Sequence, residues 1–138
     1  MRFLGIDYGD KRTGLAVSDD AGRLAVPFGV VEESAARRVI ERIEAIVGAE
    51  AIDTIVVGVP LSMRQRREDV QNRQYAKVQQ FIDALRNTVS IPIATIDERL
   101  STVEAERQTR GTSKNVRAPK DAIAASIILQ SYLDRLGH

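Results

Sequence analysis

No cysteine occurs among the 138 residues, and the only histidine, His138, is the last residue, where fraying is expected. Disulfides and thiolate metal sites are therefore excluded, and zinc chemistry and Ser-His or Cys-His catalysis go with them. Long hydrophobic runs are also lacking. Nothing approaches the ~20 apolar residues of a membrane span. The N-terminus does not have the basic, apolar, small-residue order of a signal peptide. A cytoplasmic location with no membrane partner is expected.

What remains is the composition of a folding, water-soluble chain, 43% hydrophobic and 28% charged. The length suits a single domain over residues 1–138 that buries roughly two-thirds of its unfolded surface. The net charge of +1 conceals an uneven distribution. Between Arg107 and Lys120, "RQTRGTSKNVRAPK" holds five basic residues and no acid, with Gly, Thr, Ser and Asn between them. That is the make-up of a basic loop suited to phosphates. "RQRREDVQNRQYAK", Arg64 to Lys77, has five basic and two acidic residues and reads as an ordinary solvated surface.

The chain opens with "RFLGIDYG" and "TGLAVSDD", two strands across a tight turn, followed after Asp20-Ala21-Gly22 by "LAVPFGVV". Three strands so closely spaced form an antiparallel meander. "SAARRVIERIEAIVG" predicts a helix capped by Ser34 and stopped at Gly48, with Val39, Ile40, Ile43 and Val47 at helical spacing. "DTIVVGVP" and "IPIATID" are short apolar runs expected to be buried strands. A helical pattern through Val70, Val78, Phe81 and Leu85 lies between them, and helices over about Ser101–Gln108 and Pro119–Leu136 complete the chain. Helical crossovers make the last two strands parallel to their neighbours. The expected class is α/β with a ribonuclease H-like order of elements. Its mixed five-stranded sheet has three antiparallel strands plus two parallel ones, with helices on both faces.

Sites in such sheets lie at the carboxyl ends of the strands. Asp7 ends the first strand, Asp97 and Glu98 end the fifth, and Asp121 lies in the first turn of the last helix. Singly, each has an ordinary explanation as a turn residue, a cap or a partner of a helix dipole. Converging, they would repel one another unless a cation offset the charge. Mg²⁺ or Mn²⁺ suits carboxylate oxygens, and ion pairs ~3.5–4 Å apart support phosphodiester hydrolysis. Arg12, Arg99 and Lys120 each lie within five residues of one of these acids and are candidates to hold substrate phosphates.

"GIDYGDKRTGLAVSD", "GVPL" at Gly58–Leu61, "DERLST" at Asp97–Thr102 and "DAIAASIILQSYLD" at Asp121–Asp134 together resemble the YqgF family, also called RuvX, of the RuvC-like and ribonuclease H-like nucleases. The resemblance implies that Asp7 and Asp121 are the first and last metal-binding acids and that the second comes from "DER". Strand alternation sets Asp97 and Glu98 on opposite sides without saying which faces Asp7; Glu98 is taken as the ligand. The implied catalytic and metal-binding set is Asp7, Glu98 and Asp121 with Mg²⁺ or Mn²⁺, two ions in all. Arg12, Arg99 and Lys120 would bind substrate. The implied substrate is nucleic acid, either structured RNA at the 5′ end of pre-16S rRNA or, for Holliday junction resolution, branched DNA cut by a homodimer carrying two sites. Val59 departs from the family's "GLPL", and the basic, glycine-free stretch Ser62–Val78 stands where the family has an Asn-Met-Asp-Gly type loop.

Two other classes compete. "GIDYG" also opens the actin, Hsp70 and sugar kinase folds, but those place nucleotide between two such domains, and no second glycine-rich phosphate motif occurs here. A non-catalytic nucleic-acid-binding module would need only the basic loop. With three Phe, three Tyr and no Trp, base stacking is not expected to drive recognition, which favours shape and backbone contacts.

Overall fold

The N-terminal apolar runs form a meander of β1 (Phe3–Asp7), β2 (Thr13–Ser18) and β3 (Ala25–Val31) in a computed structural model that describes residues 1–60, 70–98 and 118–137, with backbone alone for 70–72. Helix α1 (Ala36–Ala49) leads to β4 (Thr54–Val59), α2 (Val70–Arg86) to β5 (Ile93–Asp97), and α3 (Lys120–Arg135) follows. The strands lie in the order β3-β2-β1-β4-β5. β1–β2 and β2–β3 pair antiparallel, β1–β4 and β4–β5 parallel, as the spacing of the runs predicts. β3 takes an edge of the sheet, which is where Pro27 can be accommodated in a strand.

Strand alternation divides the core into two layers. On one face Leu4, Ile6, Leu15, Val17, Ile55 and Val57 meet Val39, Ile40 and Ile43 of α1 and Val78, Phe81, Ile82 and Leu85 of α2. On the other, Phe3, Ala16, Val56 and Ile96 meet Ala125, Ile128, Leu129 and Leu133 of α3. β4 is buried along its whole length because helices cover both its faces. β5 is less covered than its apolar run suggests. Only Ile96 in it is fully buried, since the strand ends the sheet order rather than sitting inside it.

The limits of α1 differ from those predicted. Ala35, not Ser34, is the N-cap, its backbone is extended, and no side chain caps the helix. Gly48 does not stop the helix either. The chain reverses at Ala51, which takes a left-handed φ of 53°, while the Ile52 N–H donates to the Val47 carbonyl at 3.1 Å. This is the Schellman closure with alanine where glycine is usual. Proline 119 serves as the N-cap of α3. The helix predicted over 101–108 lies outside the described residues, as do 62–69 and 107–117 of the two basic segments; the first of these segments is helical from Val70 onward.

α3 approaches β2 so closely that a Cβ on Gly14 would overlap the Asp121 carbonyl oxygen. Gly14→Ala should therefore push the N-terminal turn of α3 outward and lower stability by roughly 1–3 kcal/mol in urea unfolding. Gly29→Ala in β3, where a Cβ would meet nothing within 4 Å, should change it by less than about 0.5 kcal/mol. Equal effects at the two positions would contradict this account of the packing.

Candidate active site

Alternation along β1 puts Asp7 on the face that carries α3, two residues beyond Gly5, whose missing side chain admits Leu129. In register, Asp7 stands opposite Gly14, and Gly14 is the residue that α3 touches at Asp121. Two glycines thus open the path by which the first turn of α3 reaches the end of β1.

Glu98 arrives from the other side. Its N–H donates to the Val59 carbonyl at 2.9 Å, extending the β4–β5 ladder one residue past Asp97. Its Cγ lies 3.0 Å from where a Cβ on Gly58 would stand, and the same empty position is bordered by Ile128 of α3. Glu98 is therefore on the α3 face, the face of Asp7.

The electrostatics agree with this placement. Burial, then the nearby charges of Glu98 and Asp121, push the Asp7 carboxyl up to about 7. Burial, then the charge of Asp97, raises Glu98 above the ordinary carboxylate range. Asp7 thus feels Glu98 and Asp121, two of the three acids expected from the sequence, as direct neighbours in charge.

Asp121 has a cationic partner. The Arg12 Nε donates to Asp121 Oδ2 at 2.6 Å, and Arg12 Nη1 donates to Glu32 Oε2 at 2.7 Å. Arg12, expected to face a phosphate, is here clamped between two carboxylates. Glu32 was not singled out from the sequence. The meander carried the signal, because pairing of Thr13 with Val31 brings the preceding Arg12 alongside the following Glu32. Lys120 is exposed next to Asp121, and Arg99 lies outside the described residues.

Three carboxylates that offer only oxygen donors, two of them (Asp7 and Glu98) with raised affinity for protons, are the donor chemistry of a hard divalent cation. Among the described residues, no three Asp, Glu, His or Cys side chains are gathered tightly enough to grip an ion as they stand. The contact cation of Asp121 is instead the Arg12 guanidinium. The residues fit the ion by type, face and charge, and Arg12 holds one of them in its place.

The mixed β3-β2-β1-β4-β5 sheet, with α3 packed on one face and α1 and α2 on the other, is the ribonuclease H-like fold shared with the junction resolvases. Thermus thermophilus RuvC, solved with a Holliday junction substrate, matches with a TM-score of 0.63 at 18% identity over 99% of this chain and 97% of that one. The fowlpox virus resolvase bound to junction DNA matches with a TM-score of 0.55 at 11% identity over the full length of both. The chain belongs to the RuvX family, whose model, described as "Holliday junction resolvase", matches residues 1–135. Curated relatives named "Putative pre-16S rRNA nuclease" include those of Chloroflexus aggregans, 37% identical over 96% of this chain and 92% of that protein, and Thermoanaerobacter pseudethanolicus, 38% identical over 97% and 96%.

The Asp7 shift makes a signed prediction for the ion-free protein. Folded Asp7 keeps its proton up to about pH 7, whereas unfolded Asp7 loses it near the ordinary aspartate value of 3.8. Between those values the folded state binds more protons, so stability falls as pH rises. Thermal melts in EDTA should show Asp7→Asn equal to wild type near pH 4 and higher melting by roughly 3–8 °C at pH 8. A difference that does not change with pH would contradict the buried-carboxylate account.

Proposed function

We propose that this chain is a metal-dependent nuclease that hydrolyses phosphodiesters of nucleic acid, acting at the 5′ end of pre-16S rRNA. The observation that carries this is the coupling of Asp7 to Glu98 and Asp121, acids from three separate elements directed to one face of one sheet end. The naming of the curated relatives supports the choice of substrate. Such a substrate places the protein in the cytoplasm, and residues 1–138 serve as one nuclease domain. No helix among the described residues is long and apolar enough to cross a membrane.

Asp7, Glu98 and Asp121 are the residues that would hold Mg²⁺ or Mn²⁺, two ions in the full site. When bound, such ions supply Lewis acidity at the scissile phosphate. Asp7 must release its proton to take part, and β1 holds it on a rigid strand at a fixed position. Arg12 neutralises Asp121 in the ion-free site; with the ions held by the acids, Arg12 and the neighbouring Lys120 would be available to the substrate. Both cations then face phosphate oxygens, with Glu32 keeping Arg12 within reach. Arg99 completes the same set.

Junction resolution is the second reading, favoured by the family description and by the fold shared with RuvC. It requires a homodimer so that two sites make two symmetric cuts.

Purified protein with Mn²⁺ or Mg²⁺ should trim a precursor rRNA carrying its 5′ extension, and should leave a four-way DNA junction uncut. Asp7→Asn, Glu98→Gln and Asp121→Asn should each lose more than about 100-fold, since even residues that only support metal ligands cost 10–100-fold. Paired cuts in the junction by a dimer, with the RNA intact, would decide for resolution. Full activity in any of the three variants would defeat the site assignment.

A further inference from the structure

Only six aromatic residues are present, yet two of them stack at the carboxyl edge of the sheet, next to the site. Tyr8 follows Asp7 directly and projects to the opposite face, where its ring lies on Phe81 of α2 with centroids 4.0 Å apart and planes inclined by 12°. Beside this stack is a cavity of about 290 Å³. Its walls come from the turn after β1 (Asp10), the turn before α1 (Ser34), the first residue of α1 (Ala36) and α2 (Lys77 and Gln80). Lys77 Nζ donates to the two Asp10 oxygens at 3.2 and 3.3 Å, an exposed pair that solvent screens.

The lining combines a ring surface with groups that hydrogen-bond in both directions: the Gln80 amide and Ser34 hydroxyl donate and accept, Lys77 donates, and Asp10 accepts. Its volume of about 290 Å³ falls just below the range of ligand pockets, about 300 to 1,000 Å³. That size suits one planar heterocycle, and a paired base would bring its partner along. The position adds the decisive constraint. Asp7 and Tyr8 are consecutive and point to opposite faces, so the acids and the cavity flank the same end of β1, and a strand with its phosphate at Asp7 can cross the sheet edge to reach the cavity.

We propose that this cavity takes a single unpaired nucleobase of the substrate strand, stacked on Tyr8, whose other ring face rests on the buried Phe81, and read at its edge by Gln80, Lys77, Ser34 and Asp10. The inference rests on the nucleic-acid reading of the site given above. It assigns a role to an aromatic pair in a chain whose composition pointed to backbone contacts alone. It also gives α2 a part in choosing where along the strand cleavage falls.

The test uses the full chain carrying Asp7→Asn, to prevent turnover, and labelled single-stranded RNA oligomers with one abasic nucleotide moved position by position. One position should matter, weakening binding about tenfold when its base is absent. Adding Lys77→Ala and Gln80→Ala, both exposed and checked for folding by circular dichroism, should reduce that penalty to about threefold, the part left to stacking on Tyr8. Affinity for the abasic oligomer should then fall by less than about threefold, as expected for one lost surface cation. Tight binding with no position-dependent loss, or the same loss in the double variant, would overturn the pocket alone. Failure to bind any of the oligomers would instead overturn the nucleic-acid reading on which it rests.

Discussion

How near the first turn of α3 can come to β2 sets the geometry of the whole sheet end, and Gly14 sets that limit. A side chain there would meet the Asp121 carbonyl, and the helix would have to retreat. Because Gly14 is the register partner of Asp7, the same contact fixes how far Asp121 stands from the end of β1. Gly5 and Gly58 repeat the device along the α3 face, one receiving Leu129 and the other leaving room for Ile128 and Glu98. Small residues at these crossings cost the strands some intrinsic stability and return it as close helix–sheet packing. Leu129 and Leu133, fully buried on the sheet-facing side of α3, anchor the helix that carries Asp121 in its first turn.

The arrangement that packs well is electrostatically unfavourable. Asp7 is partly withdrawn from water and faces two other acids, and its proton affinity rises accordingly. Arg12 relieves part of this by pairing with Asp121, with Glu32 as a second anchor. A guanidinium in that position is a provisional counter-ion: exposed pairs are screened and readily exchanged. The strain in the acids and the weakness of the pair point the same way, toward a site poised to exchange one cation for another.

Much of the fold could be read from residue spacing. The meander, the two crossovers and the parallel strands followed from short apolar runs separated by turns or by helical periodicity, and the sheet has that order. Helix ends were harder. The left-handed residue that closes α1 is Ala51, so neither glycine preference nor capping preference marked the boundary. The acids Asp7, Glu98 and Asp121 were visible because strand ends in parallel sheets are where sites lie, but alternation alone could not choose between Asp97 and Glu98. The choice needed the packing of Gly58, which no local pattern records. Pairing of Arg12 with Glu32 and stacking of Tyr8 on Phe81 depend on strand register and on the approach of α2, both tertiary facts.

The central claim is that Asp7, Glu98 and Asp121 form one cation site with Arg12 as its occupant in the ion-free protein. Calorimetric titration with Mn²⁺ at pH 8, where Asp7 is ionised, tests it without any substrate. Wild type should bind, Asp7→Asn and Asp121→Asn should not, and Arg12→Gln should bind more tightly than wild type because the ion no longer displaces a guanidinium. Absence of Mn²⁺ binding by the wild type, or binding undiminished in both acid variants, would contradict the account.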